Sequence, residues 1–84
     1  MFYVYVLRSF KDGKLYLGCT NDLRRRFREH QTGEVLSTKS RRPFELRYYE
    51  AFYCEQNARK REMSLKKDGK ALAQLKRRIL ESLQ

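Results

Sequence analysis

Tyr5, Tyr16, Arg26 and Glu62 are the residues of this chain best suited to chemistry on a phosphodiester. A phenol can take a proton from water when nearby positive charge lowers its pKa from about 10. A guanidinium can hold a phosphate and stabilise charge on its oxygens. A carboxylate can hold Mg²⁺, which keeps most of its waters and takes substrate oxygens as further ligands. Such an ion acts as a Lewis acid toward a departing oxygen. Each side chain alone has an ordinary alternative. Strand tyrosines commonly pack in a core. An inward glutamate can be neutralised by an arginine of a neighbouring helix.

The elements around these residues decide whether they meet. Residues 2–8 (FYVYVLR) are rich in aromatic and β-branched types and read as a strand. Asp12-Gly13 supplies a turn, and residues 14–20 return as a second strand. With a two-residue turn, Tyr5 sits opposite Thr20. Period two then places Tyr5, Tyr16 and Thr20 on one face. A bulged turn would change that parity.

Thr20 or Asn21 can cap a helix that starts with Asp22 and ends at Gly33. On a helical wheel Leu23 and Phe27 mark its buried face, and Arg24, Arg25 and Arg28 point away. Arg26 and His30 are i,i+4 neighbours at the edge of the apolar arc. A guanidinium beside a core must find an anion or acceptors. Residues 34–43 form a polar basic loop closed by Pro43. Residues 44–53 read as a third strand and 55–67 as a second helix. There Ala58 and Leu65 flank Glu62 on the inward stripe, with Lys60 and Lys67 opposite. Asp68-Gly69 break that helix. A third, over 70–83, carries Leu72, Leu75, Ile79 and Leu83 on one stripe and closes the core. The expectation is one α+β domain over residues 1–84. It holds a small three-stranded antiparallel sheet, the N-terminal hairpin plus a third strand, flanked by about three helices.

The chain has 84 residues and a net charge of +10, from 20 Lys and Arg against 10 Asp and Glu. An excess of that size points to nucleic acid first and an anionic membrane surface second. No apolar run approaches the ~20 residues of a membrane span. The N-terminal MFYVYVLRSF lacks a basic leader and cleavage site, so it reads as a strand. Cys19 and Cys54 stand far apart without zinc or CxxC spacing and read as reduced thiols of a cytoplasmic protein. One histidine is too few for a His-rich metal-finger nuclease. The sequence shows no tight acidic cluster for a two-metal site, and no Gly-rich phosphate loop or Ser-His-Asp set.

Taken in order, Tyr3-Val4-Tyr5, Tyr16-Leu17-Gly18, Arg26 and Glu62 resemble the signature of the GIY-YIG nuclease family. The run STKSRRPFELRYYEAF and the helix from Ala58 to Lys66 are similar to the small stand-alone bacterial members. The resemblance covers essentially the whole chain. It implies a GIY-YIG-like fold and a metal-dependent endonuclease acting on DNA, with DNA repair among the family's settings. It implies Tyr5 as general base or water-orienting group, and Tyr16 as the residue that positions the nucleophile. It further implies Arg26 as the catalytic arginine, Glu62 as the metal-binding glutamate and Gly18 as a point of close backbone passage. His30 falls where several members have a histidine near the site. One Mg²⁺ or Mn²⁺ ion is the implied cofactor. The first motif departs from the family pattern, with Tyr3 for glycine and Val4 for isoleucine. The asparagine that some members carry after the glutamate helix has no clear counterpart.

Basic residues gather in three places: Arg24, Arg25 and Arg28; Lys39, Arg41 and Arg42; and Lys66, Lys67 and Lys70. Facing one groove, they would track a phosphate backbone. Ser37, Thr38 and Ser40 could add neutral hydrogen bonds to phosphate. Such contacts position without specifying, so binding should be structure-selective or nonspecific. DNA is the expected partner, with RNA an alternative. The rival functions are a non-catalytic basic DNA- or RNA-binding module, and an accessory protein docking on an acidic partner or ribosomal RNA. The first accounts for the charge but not for an inward Glu62 beside an arginine–tyrosine set.

Overall fold

The computed structural model describes residues 1–82 of the chain. Strands β1 (Phe2–Ser9), β2 (Leu15–Thr20) and β3 (Phe44–Phe52) form an antiparallel sheet in the order β2-β1-β3. Helices α1 (Leu23–Thr32), α2 (Glu55–Lys67) and α3 (Gly69–Ser82) flank it, and a 3₁₀ turn covers Lys39–Arg41. This is the expected α+β arrangement. Leu83 of the expected α3 stripe lies outside the described residues.

β1 is the central strand, and Val4, Tyr5, Val6 and Leu7 are all buried. Four consecutive buried residues mean that both faces of the strand are covered. On one face Val4 and Val6 join Ala58 and Leu65 of α2 and Leu75 and Ile79 of α3 in the main core. The opposite face carries Tyr5, Leu7 and Ser9 beside Tyr16, Gly18 and Phe44, and α1 packs there. The sheet is therefore the middle layer between α1 and the α2–α3 pair.

The hairpin register differs from the sequence expectation. Tyr5 pairs with Gly18, and Thr20 pairs with Tyr3. The turn is longer than two residues. Ser9 donates its N–H to Lys14 at 3.0 Å, and Gly13 returns its own to the Ser9 carbonyl from the left-handed region at φ 72°. Glycine is the residue that adopts that conformation without steric cost. The slip is two residues, an even number, so Tyr5 and Tyr16 still share a face.

The cap of α1 also differs. Asp22 is the N-cap, and its carboxylate accepts the Arg25 N–H at 3.1 Å. Thr20 instead accepts the Asp22 N–H, and Asn21 accepts from the Arg25 guanidinium. The carboxylate at position 22 reaches the Arg25 N–H, one of the first free donors of the helix, which is what a cap requires.

Candidate active site

The structure brings Tyr5, Tyr16, Arg26 and Glu62 to the free edge of β2. Gly18 is the pivot. A Cβ there would overlap Cζ and Oη of Tyr5, so only a hydrogen lets that ring lie across the strand. Tyr16 stacks on Tyr5 with centroids 6.4 Å apart. Tyr3, Val4 and Leu17 of the two motifs take supporting places: Val4 is in the core, Leu17 packs against it, and Tyr3 meets Tyr49 edge-on. Gly18→Ala is expected to cost about 1–3 kcal/mol of stability by overpacking. Thermal melts of the variant beside the wild type measure that cost.

α1 brings Arg26 and His30 to this cluster from one face of the sheet. The wheel reading placed His30 at the margin of the buried arc. In the structure it is the buried residue of α1, while Leu23 and Phe27 are only half-buried. Its Nε2 lies 2.8 Å from the Tyr5 hydroxyl and its Nδ1 lies 2.8 Å from Thr38 Oγ1. Arg26 has only N–H donors, so it donates to the Tyr5 oxygen and the Tyr5 O–H donates to Nε2 of His30. Nδ1–H then donates to Thr38, whose own hydroxyl can reach the Val35 carbonyl at 3.4 Å. This assignment satisfies every member of the chain.

Electrostatics around the phenol contradict a simple base. Burial pushes the Tyr5 hydroxyl up, Arg26 pulls it down, and Tyr16 and Glu62 push it up again; the outcome is about 12. The expectation that positive charge would lower its pKa is therefore corrected: desolvation of a side chain only 2% exposed outweighs the guanidinium. Burial, and then Arg26, hold His30 down at about 4, with Glu29 opposing. The imidazole is neutral at pH 7 and able to accept a proton.

That depression has a consequence for stability. The unfolded chain protonates its histidine near 6.5, the folded protein near 4. Stability is complete above 6.5 and is lost as pH falls through this window, because the unfolded state binds the extra proton. Melting temperature should fall between pH 6.5 and 4, and His30→Gln should flatten that fall.

α2 supplies Glu62 from the other face. Arg61, one residue earlier, grips Glu50 of β3 through Nε at 3.0 Å and Nη2 at 3.0 Å. This fixes the rotation of α2 and turns Glu62 toward β2, where it acts on both Cys19 and Tyr5. The Glu62 side chain is 18% exposed, and its Oε2 takes the Lys66 ammonium at 2.9 Å. Its neutralising partner is thus on its own helix, not an arginine of α1. Among the described residues no three His, Cys, Asp or Glu gather as a metal cage. A lone carboxylate already holding a cation nevertheless fits an ion that keeps most of its waters.

Other expected contacts fall elsewhere. Thr38 is fully buried against His30 and is not available to phosphate. Arg41 is a clasp: its Nε donates to Asp12 at 2.9 Å and its Nη2 to the Lys14 carbonyl at 3.3 Å. Ser9 completes the clasp by donating to the Arg41 carbonyl at 2.6 Å. Arg42 donates to the Lys39 carbonyl and lies against Gly33. Arg24, Arg28, Lys39, Lys67 and Lys70 are exposed, and none has an ion pair among the described residues. Arg25 bonds Asn21 and faces Glu29 at 3.8 Å. Arg59 was not singled out in the sequence. It lines a polar pocket of about 280 Å³ with Arg25 and Arg26 at the C-terminal end of β2. Of Ser9, Thr38 and Arg59, only Thr38 left a sequence signal: an inward His30 needs a polar partner. Cys19 and Cys54 are both free thiols. No helix among the described residues is long and apolar enough to cross a membrane.

A three-stranded sheet between two helical layers, with paired tyrosines, an arginine and a glutamate at one strand edge, matches a family of nucleases. The chain belongs to the GIY-YIG family: the profile of the GIY-YIG catalytic domain matches residues 1–78. More narrowly, its relatives are small UPF0213 proteins. One from Bacillus pumilus is 43% identical over 65 residues, 76% of this chain and 65% of the relative, so the chain spans just under two-thirds of that protein. One from Staphylococcus saprophyticus is 40% identical over 65 residues, 76% of this chain and 78% of the relative. The solution structure of a UPF0213 protein from Bacillus halodurans matches with a TM-score of 0.54 and 35% identity, over all of this chain and 86% of that one.

Proposed function

We propose that this chain is a metal-dependent endonuclease that hydrolyses phosphodiester bonds in DNA, with structure-selective or nonspecific binding. One observation carries the reading. Arg26 and Glu62 come from helices on opposite faces of the sheet, yet both act on the same Tyr5 phenol at the β2 edge. Membership of the GIY-YIG family supports DNA as the substrate. A cytoplasmic enzyme of DNA repair is the setting this reading implies.

In the free protein the guanidinium of Arg26 sits against the Tyr5 oxygen and Glu29, whose Oε1 it meets at 3.1 Å. A phosphate competes for the same donors. As Arg26 turns to the phosphate, the Tyr5 oxygen is released for a water that Tyr16 orients from the open side. Tyr5 takes the water's proton while passing its own to the neutral Nε2 of His30. This relay needs no phenolate in the resting protein, which a pKa of about 12 would forbid. Glu62 is the residue that would hold one Mg²⁺ or Mn²⁺. When bound, the ion supplies Lewis-acid stabilisation of charge on the phosphate oxygens.

The test is nicking of labelled DNA with Mg²⁺ and with chelator, by wild type and Arg26→Ala. Loss of a single charge-stabilising donor costs about 10²–10³-fold in rate. Arg26→Ala should lose that much cutting while DNA affinity falls less than about tenfold, the scale of one phosphate contact. Equal loss of both would reduce Arg26 to a phosphate contact, and a wild type that binds without cutting would leave only a binding module.

A further inference from the structure

The two ends of β2 differ in chemistry. At its C-terminal end the surface is polar and lined by Arg25, Arg26 and Arg59 together with Glu29 and Glu55. Beside its N-terminal end a groove of about 900 Å³ runs between β2 and α3. The groove has a largely apolar floor that includes Leu15, Leu17, Leu72 and Leu80. Leu80 is 57% exposed, unusual for a leucine that merely closes a core. Lys14, Lys66 and Lys76 stand at the rim, and no acidic side chain among the described residues lines it. Tyr16 and Lys66 line this groove and also belong to the catalytic cluster.

We propose that this groove receives unpaired nucleotides of the DNA strand being cut, so that the substrate carries a single-stranded segment next to the scissile bond. The inference rests on the endonuclease reading and narrows its substrate class. Whatever occupies the groove is continuous with the scissile phosphate, because Tyr16 and Lys66 face both. The occupant must also be anionic at its edge and apolar in its body. Paired DNA shows phosphates and the polar edges of its bases, with the base faces stacked inside, and an apolar floor offers neither of these a partner. An unpaired strand presents phosphates to lysines and base faces to leucines together. A second copy of the chain does not fit, because both surfaces would bring positive charge to a protein already at +10.

The test compares a blunt duplex with the same duplex carrying a single-stranded tail, each bound by anisotropy with Ca²⁺ in place of Mg²⁺. Lys14 and Lys76 are exposed, have no ion pair among the described residues and lie outside the catalytic cluster. The double variant Lys14→Ala/Lys76→Ala should weaken tailed-DNA binding about tenfold and blunt-duplex binding less than about twofold. Its salt slope on tailed DNA should drop by roughly 1.4, two single-strand phosphate contacts. Leu80→Glu should show the same selectivity, with circular dichroism confirming the fold. Equal losses on both substrates, or a wild type indifferent to the tail, would overturn the proposal. So would an acidic amphipathic peptide that fills the groove without displacing tailed DNA. Tail-selective binding that the variants abolish, in a protein that does not cut, would uphold the groove and remove the nuclease. Mg²⁺-dependent cutting with tail-independent binding would do the reverse.

Discussion

Glu62→Ala is expected to lower Mg²⁺-dependent cutting by at least about 10³-fold. Lewis-acid stabilisation is worth several kcal/mol, and each ~1.4 kcal/mol is a factor of ten in rate. Glu62 is the carboxylate held at the β2 edge, and no acidic cluster among the described residues stands ready to replace it. The variant should also lose Mn²⁺ binding, read by calorimetry without DNA. Its affinity for DNA should hold or rise slightly, because a negative charge is removed and the Lys66 ammonium, 2.9 Å away, loses its partner. Glu62→Gln, which keeps the shape, should behave the same way. Retained cutting in either variant would place the metal elsewhere.

Tyr5→Phe should reduce cutting by about 10²–10⁴-fold, the usual contribution of a positioned proton acceptor. DNA affinity should change less than about threefold, because Arg26 keeps its donors. The substitution is not silent for folding. It leaves the buried Nε2 of His30 without the hydroxyl it meets at 2.8 Å, at a cost of about 1–3 kcal/mol. Melting temperature must therefore be measured on the same preparation. The pH–rate profile is a second readout. His30 titrates at about 4, so the wild-type rate should not decline from protonation of this histidine until pH approaches that value. A variant in which Tyr16→Phe is the more damaging change would move the base to the second motif.

The sheet was largely legible because its faces follow period two. The shared face of Tyr5 and Tyr16 survived a wrong register, since the turn lengthened by an even number of positions in the pairing. Glu62 was readable as inward because Ala58 and Leu65 flank it on a helix, and both are buried. His30 is buried more deeply than a place at the edge of the apolar arc implies, for a reason of geometry. The wheel was centred on Leu23 and Phe27, whereas α1 lies on the sheet around its C-terminal half, against Tyr5 and Phe44. The basic loop was the least legible segment. Arg41 finds Asp12 and Thr38 finds His30, contacts 29 and 8 residues away, and no local pattern announces them. Charge alone makes Arg41 look like a DNA contact, while the fold makes it a clasp that ties the loop to the β1–β2 turn.

The proposal that Glu62 holds one ion beside two phenols and a guanidinium is open to direct measurement. Mn²⁺ titrated into isotope-labelled protein broadens the NMR signals of nuclei close to it. The amides of Gly18, Cys19 and Glu62 and the side chain of Arg26 should broaden first, and Glu62→Ala should abolish the effect. Broadening that spares the β2 edge, or persists unchanged in the variant, would contradict a metal-assisted centre at that edge.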